Sequence, residues 1–452
     1  MYFRRTENAT VETALTQTGS LKGDLNLFMR PTDDCQFCGG GAPAFPSVLT
    51  GAPGSIVKPG AFEFAPNFRN PEVHQAVMGV EEELPGHVDV TASAMVSLGR
   101  RLPVPIDSNI DTNPADTGTI TYAVENCPEK FSNAVVTCTG TGPIKTPTIT
   151  VPFYASWPSA TESTGDCPVP FIGWLNPCYQ QIRQITSKAN STYEAAMLKI
   201  VRYGRRGLSL HAHYTYSHAT DWNPNESPLD PNPANFGQEY GTSDEDMRHS
   251  AAAMVIYEAP WKLHNFAGVL GNGWMISGIG QFHSGLPYTM RVAGSLPECG
   301  GYAGSCTPPV SSGVSASTGD SIVGLGPGML GAGGDNRVFE LGRNTFRYPA
   351  TWKVDMRVEK KFELGQMREL ELLVESFNLF NHQNVTELET TGYYIESGTA
   401  SAPPTLNFLN TFTTQPPIAG LPPSTGFGQP LNINATDFYR ERQIQFGVRM
   451  RF

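Results

Sequence analysis

The sequence has no run approaching ~18 consecutive apolar residues, so it offers no transmembrane helix. Its opening stretch, MYFRRTENATVETAL, has no apolar core of the kind a signal peptide needs, and none is visible. Charge is sparse: 16% of the 452 residues are Asp, Glu, Lys or Arg, against about 25% in an ordinary soluble domain. The balance is acidic, at -11, which excludes the basic stripe of a nucleic-acid binder. GxSxG, HExxH and P-loop motifs are all missing, so no enzymatic chemistry and no cofactor is expected.

Turn formers are plentiful instead, with 46 glycines and 37 prolines. The eight cysteines, Cys35, Cys38, Cys127, Cys138, Cys167, Cys178, Cys299 and Cys306, fall as close pairs in Gly/Pro/Ser/Thr-rich stretches. An even count in loops points to structural disulfides and an oxidising compartment, with nearest-neighbour pairing as a guess. The Cys35–Cys38 spacing also fits a redox motif or half a zinc site. The βαβ context of the first and the extra ligands of the second are not seen.

Period-two alternation is the dominant signal. In TWKVDMRVEKKF, Trp352, Val354, Met356, Val358 and Phe362 share one face, and Lys353, Asp355, Arg357, Glu359 and Lys361 the other. Lys360 breaks the apolar row near its end, where a lysine can snorkel. Leu370, Leu372 and Val374 oppose Glu369, Glu371 and Glu375, and the terminal RQIQFGVRMRF repeats the pattern. About nine such strands are expected, at 73–84, 87–101, 191–203, 206–219, 248–260, 271–284, 351–363, 366–380 and 438–452. The connections alternate between a few residues and many tens. Long structureless loops are unusual in a compact soluble domain, whereas a transmembrane β-barrel has short periplasmic turns and long extracellular loops. A soluble sandwich would have shorter strands and would bury the charged face. The expected fold is therefore all-β: an antiparallel transmembrane β-barrel portion, with an irregular segment over 1–72 and the barrel over 73–452.

The segments YTYSHATD, SDEDMRHSAAAMVIYEAPW, GNGWMISGIGQFHSGLPYT, WKVDMRVEKKFEL, VESFNLFNHQN and FGVRMRF, in this order, resemble the C-terminal barrel half of TonB-dependent outer-membrane receptors of the Oar-like group. VMGVEEEL with VTASAMVSLGRRL resembles an earlier hairpin of that barrel. The resemblance implies a barrel of about 22 strands preceded by a regulatory-like domain, a TonB box and a plug. None of these is recognisable in the sequence. About nine strands do not close a barrel, so an open sheet is expected, part of a larger receptor. What the resemblance implies for partners is outer-membrane lipid, the barrel assembly machinery, and the TonB complex only through parts outside this sequence. It also implies an assembly signal in the terminal row Phe446, Val448, Met450 and Phe452.

Few residues invite a site reading. His211 and His213 share a strand face and are weak candidates for a metal; polar lining is the plainer reading. Asp221, Asn223, Asn225 and Asp230 have the oxygen spacing of a calcium loop. Glu226 and Asn232, however, stand where its glycine and its bidentate Glu belong. Asp246 and Arg248 are placed to pair with each other or with loop groups. Phe377 and Phe380, followed by asparagines, read as an interfacial aromatic anchor with an Asn-rich turn. Substrate-binding residues cannot be named from sequence. Two functions fit: import of a bulky nutrient by an energy-coupled receptor, or a surface-binding or adhesion barrel without transport.

Overall fold

The computed structural model describes residues 61–109, 182–222, 235–294, 341–396 and 426–452, apart from residues 206, 366, 367 and 437, together with shorter pieces between. Nine long strands form its main sheet: β1 (Glu72–Leu84), β2 (Val88–Asp107), β3 (Ile182–Arg205), β4 (Leu208–Asp221), β5 (His249–Glu258), β6 (Trp274–His283), β7 (Thr351–Glu363), β8 (Glu369–Phe377) and β9 (Gln443–Arg451). They pair antiparallel in chain order, each with the next. Short strands complete a sheet of 12: Tyr2–Arg4 beside β1, Ala61–Phe64 parallel to β3, and Gly241–Thr242 beside β4. Among the described residues β9 pairs only with β8, and the barrel is not closed.

The registers carry a single apolar face across all nine strands. One row runs Leu84, Val88, Arg202, Leu210, Val255, Gly278, Met356 and Ser376 to Ile444. The next links Ile276, Val358, Val374 and Phe446. Many of these side chains stay exposed, from Val255 at 38% to Phe446 at 80%. Lys360 lies on this face at the short-turn end. Its ammonium donates to the backbone oxygen of Asn272 and rests 4.8 Å from the Phe362 ring centre and 5.5 Å from that of Trp274. The snorkelling lysine thus reaches the rim by way of two aromatic rings.

Short turns lie at one end. Gly86 and His87 both take positive φ between β1 and β2. Gly207, between β3 and β4, has φ +78, and a Cβ there would meet the Glu258 carbonyl oxygen at 1.9 Å, so that position requires glycine. Between β5 and β6 lies a short helix, α1 (Asn265–Gly271), with Phe266, Val269 and Leu270 exposed.

Two strands overrun the expected 11–15 residues. β2 has 20 and β3 has 24. Above the Gly99–Ser191 pair their register shifts twice, and the extension passes through Pro105. A proline is tolerated there because β2 is an edge above Arg100, where its pairing with β1 stops at Glu72. Val104, Ile106, Ile185 and Ala189 on this extension are buried.

The buried hydrophobic residues concentrate at the long-connection end. The connections contribute Gly118–Glu125, Thr148–Phe153, Arg291–Gly294, Cys306–Thr307, Thr391–Glu396 and Thr405–Phe408 to a second, six-stranded mixed sheet. Tyr122, Ile149, Tyr393, Leu406 and Met290 have almost no exposed surface. The described parts of these long connections build a folded layer with a core of its own.

Candidate functional site

The polar face of the main sheet is an ionic ladder where β7, β8 and β9 meet. Arg357 contacts Glu359 and lies 3.6 Å from Glu371 and from Glu375. Glu371 is shared with Arg449 at 3.4 Å, and Arg451 lies 3.8 Å from Glu369. Glu359 and Glu371 are almost fully buried, yet each has a guanidinium partner. The arginines of the terminal strand thus face the acidic residues of β8.

At the long-connection rim, the stretch between β4 and β5 forms a second cluster around Asp246, whose side chain is fully buried. It accepts from the Ala219 amide at 2.6 Å, lies 3.0 Å from the His218 ring and 3.4 Å from Arg248, and contacts Arg347. Burial alone would raise the Asp246 pKa. The hydrogen bonds from Arg347, Ala219 and His218, with the Arg248 charge, outweigh it and hold the carboxyl below its ordinary value. Four residues before Arg347, Arg343 is buried between Asp221 and Asp244, and Asn344 donates to the Thr242 carbonyl oxygen at 2.8 Å. The connection before β7 is thereby stapled to the one before β5. Arg343 and Arg347 were not singled out in the sequence, because nothing local marks arginines whose partners lie about a hundred positions away.

The remaining candidates are placed as follows. His211 and His213 both lie on the polar face of β4, where the Tyr203 ring packs edge-on to His211 at 5.5 Å. Among the described residues no group of three His, Cys, Asp or Glu could hold a metal. Asp221, first of the calcium-like spacing, is bound by Arg343; Asn223, Asn225 and Asp230 lie outside the described residues. Of the cysteines, Cys138 and Cys306 are described at the backbone only, in loop strands opposite Phe412 and Ile120. Cys35, Cys38, Cys127, Cys167, Cys178 and Cys299 lie outside the described residues. Phe446, Val448, Met450 and Phe452 are all exposed, the first three alternating outward along β9. The Asn-rich turn forms as read. Asn378 and Asn381 take positive φ, and the Asn378 amide donates to His382 and Arg440 carbonyls at 2.9 Å. Phe380 and His382 pack on Trp352 at 6.0 and 4.2 Å, an aromatic rim.

Two solved structures are similar in chain trace. One is the closed form of the ferric-catecholate import receptor Fiu from Escherichia coli K12, with TM-score 0.31 and 8% identity over 75% of this chain and 27% of that one. The other is the outer membrane transporter YddB from Escherichia coli, with TM-score 0.33 and 6% identity over 77% and 33%. The chain thus spans a third or less of those structures. No curated protein matches it in sequence. A family profile described as an outer membrane beta barrel domain matches residues 1–445, and the chain belongs to that family, an antiparallel β-barrel protein of the outer membrane.

Proposed function

We propose that the chain is the wall and loop portion of a TonB-dependent receptor that binds and imports a bulky nutrient. The observation that carries this reading is the asymmetry of the sheet. Short connections close one end, the described parts of the long connections form a folded layer at the other, and an ionic ladder on the polar face lies between. In an outer-membrane barrel the long connections are extracellular, so the folded layer is the surface first met by a substrate. The segments resembling Oar-like receptors support the same reading. The barrel makes and breaks no bonds; it supplies a polar wall and capturing loops, and energy coupling would reach it through a plug and a TonB box. In this reading the outward row of β9, ending in Phe452, engages the assembly machinery, and the cysteine pairs brace the extracellular layer.

Deleting the gene should abolish growth on one class of limiting oligosaccharide, peptide or chelate, and disrupting the energy-coupling protein should have the same effect. Growth unaffected by either, with loss of surface attachment, would favour the adhesion barrel, for which the folded loop layer is the supporting observation. Replacing Phe452 with Asp should lower the heat-modifiable protein in the outer membrane. Unchanged levels would remove β9 from the assembly role.

A further inference from the structure

The connection between β5 and β6, at the short-turn end, is apolar where a turn in water would be polar. From Ala259 to Gly273 its one charged side chain is Lys262, with His264 two residues on and no acid. Trp261, Leu263, Phe266, Val269 and Leu270 are crowded into it, and all are exposed. This is not the exposure of a frayed loop. The Asn272 side-chain amide donates to the Leu263 carbonyl oxygen, and its oxygen accepts from the Leu263 amide, both at 2.9 Å. A Cβ on Gly268 would run into the Leu263 carbonyl oxygen, and one on Gly271 into the Leu263 side chain. The glycine side of α1 is thus packed on its own connection. Phe266, Val269 and Leu270, at i, i+3 and i+4, form a stripe on the opposite side. It stays bare, at 74%, 54% and 56% exposure.

Two contacts fix the way the helix leans. The Trp274 indole donates to the Leu270 carbonyl oxygen at 2.7 Å, and the Lys360 ammonium donates to that of Asn272. Trp274 and Lys360 are partners in register on the apolar face of β6 and β7. The C-terminal carbonyls of α1 are therefore held from the lipid side of the sheet. The helix continues the lipid-facing surface and does not turn under the polar face.

Short connections of an outer-membrane barrel are periplasmic. We propose that α1 lies flat in the periplasmic leaflet as an interfacial anchor. The stripe of Phe266, Val269 and Leu270 is turned to the acyl chains, Trp261 sits at the headgroup level, and Lys262 meets phospholipid phosphates. An interfacial helix holds its position by burying one apolar side at the headgroup boundary while cationic side chains meet anionic lipid. Here it fixes the depth of the β5–β6 hairpin in the membrane. Lipid fits this stripe better than a periplasmic protein does, because the stripe is continuous with the lipid-facing surface and the charge beside it is positive only.

The test is tryptophan fluorescence of the full chain with Phe266→Trp, reconstituted in phosphatidylethanolamine and phosphatidylglycerol vesicles. The emission added over the wild type should be quenched by acyl chains brominated near the headgroup, and spared by iodide present on both sides of the membrane. Added emission that iodide quenches and brominated lipid does not overturns the proposal. Heat-modifiable migration checks insertion. Should Phe266→Trp fail to insert, the Trp261 emission, read as the difference between the wild type and Trp261→Phe, decides in the same way. In cells, p-benzoylphenylalanine at position 266 should cross-link to phospholipid. A cross-link to a second polypeptide would assign the stripe to a protein partner and overturn the proposal as well.

Discussion

Asp246 shows what a single buried carboxylate does at the rim. Three cationic or imidazole groups and one amide converge on it. Removing it leaves Arg347 and Arg248 without their shared partner. Breaking a buried pair costs about 3–5 kcal/mol; because both arginines are about a third exposed, Asp246→Ala should cost less, about 2–3 kcal/mol. Because its pKa is lowered in the folded protein, its contribution is complete above the unfolded carboxylate value of about 3.9 and is lost as pH falls through the lower folded value. The Ala219 amide, which donates to this carboxylate, reports the loss directly. Its hydrogen exchange, corrected for intrinsic rate, should accelerate below pH 4 in the wild type. In Asp246→Ala it should be fast at every pH, and a pH-independent slow rate in the wild type would remove Asp246 as the cause. The Asp246–Arg248 half of this cluster was legible, since the two residues are close in sequence. Arg347 was not, since only the closed loop brings it there.

At the scale of a strand, the two faces of β7 make opposite demands. Val358 lies mid-strand on the apolar face, between Ile276 and Val374. Val358→Arg should cost about 2–4 kcal/mol if it meets lipid at the midplane, read as a lowered denaturant midpoint in vesicles; a change near zero would reverse the face assignment. A polar-face substitution would be mild if that face were merely wet. Arg357 does not fit that simple picture. It is the shared partner of Glu359, Glu371 and Glu375, two of them nearly buried. Arg357→Ala leaves Glu359 without its guanidinium and should destabilise by about 2–3 kcal/mol. The Arg357→Ala, Glu359→Gln double variant should recover part of that loss, and a double variant worse than the single would refute the pairing. Strand positions and faces were legible because alternation is a local property. The upper ends of β2 and β3 were not. Pro103, Pro105 and a polar run from Arg183 to Asn190 look like breaks, and only packing against the loop layer turns them into strand.

Across the whole molecule, hydrophobic burial is inverted relative to a soluble β-sandwich. The strands leave their apolar side chains outward for lipid, and the dry core belongs to the loops. Such a core cannot be read from periodicity, because its strands are two to eight residues long and come from three separate connections. Tyr393 is the centre of it. It is fully buried and packs on Phe408 at 5.2 Å; its hydroxyl donates to the Asn126 side chain at 3.1 Å and accepts from the Ile144 amide at 3.3 Å. Tyr393→Ala removes that ring and strands both polar partners, a loss of about 3–5 kcal/mol for a large buried aromatic. The main sheet shares none of these contacts, so the damage should stay local. Limited proteolysis of the reconstituted variant should cut the connections after β2, β6 and β8 much faster than in the wild type. The heat-modifiable band and the protection of β4 to β8 amides should be unchanged. If those strand amides also lose protection, the loop layer and the barrel wall fold as one unit and the two-layer division fails.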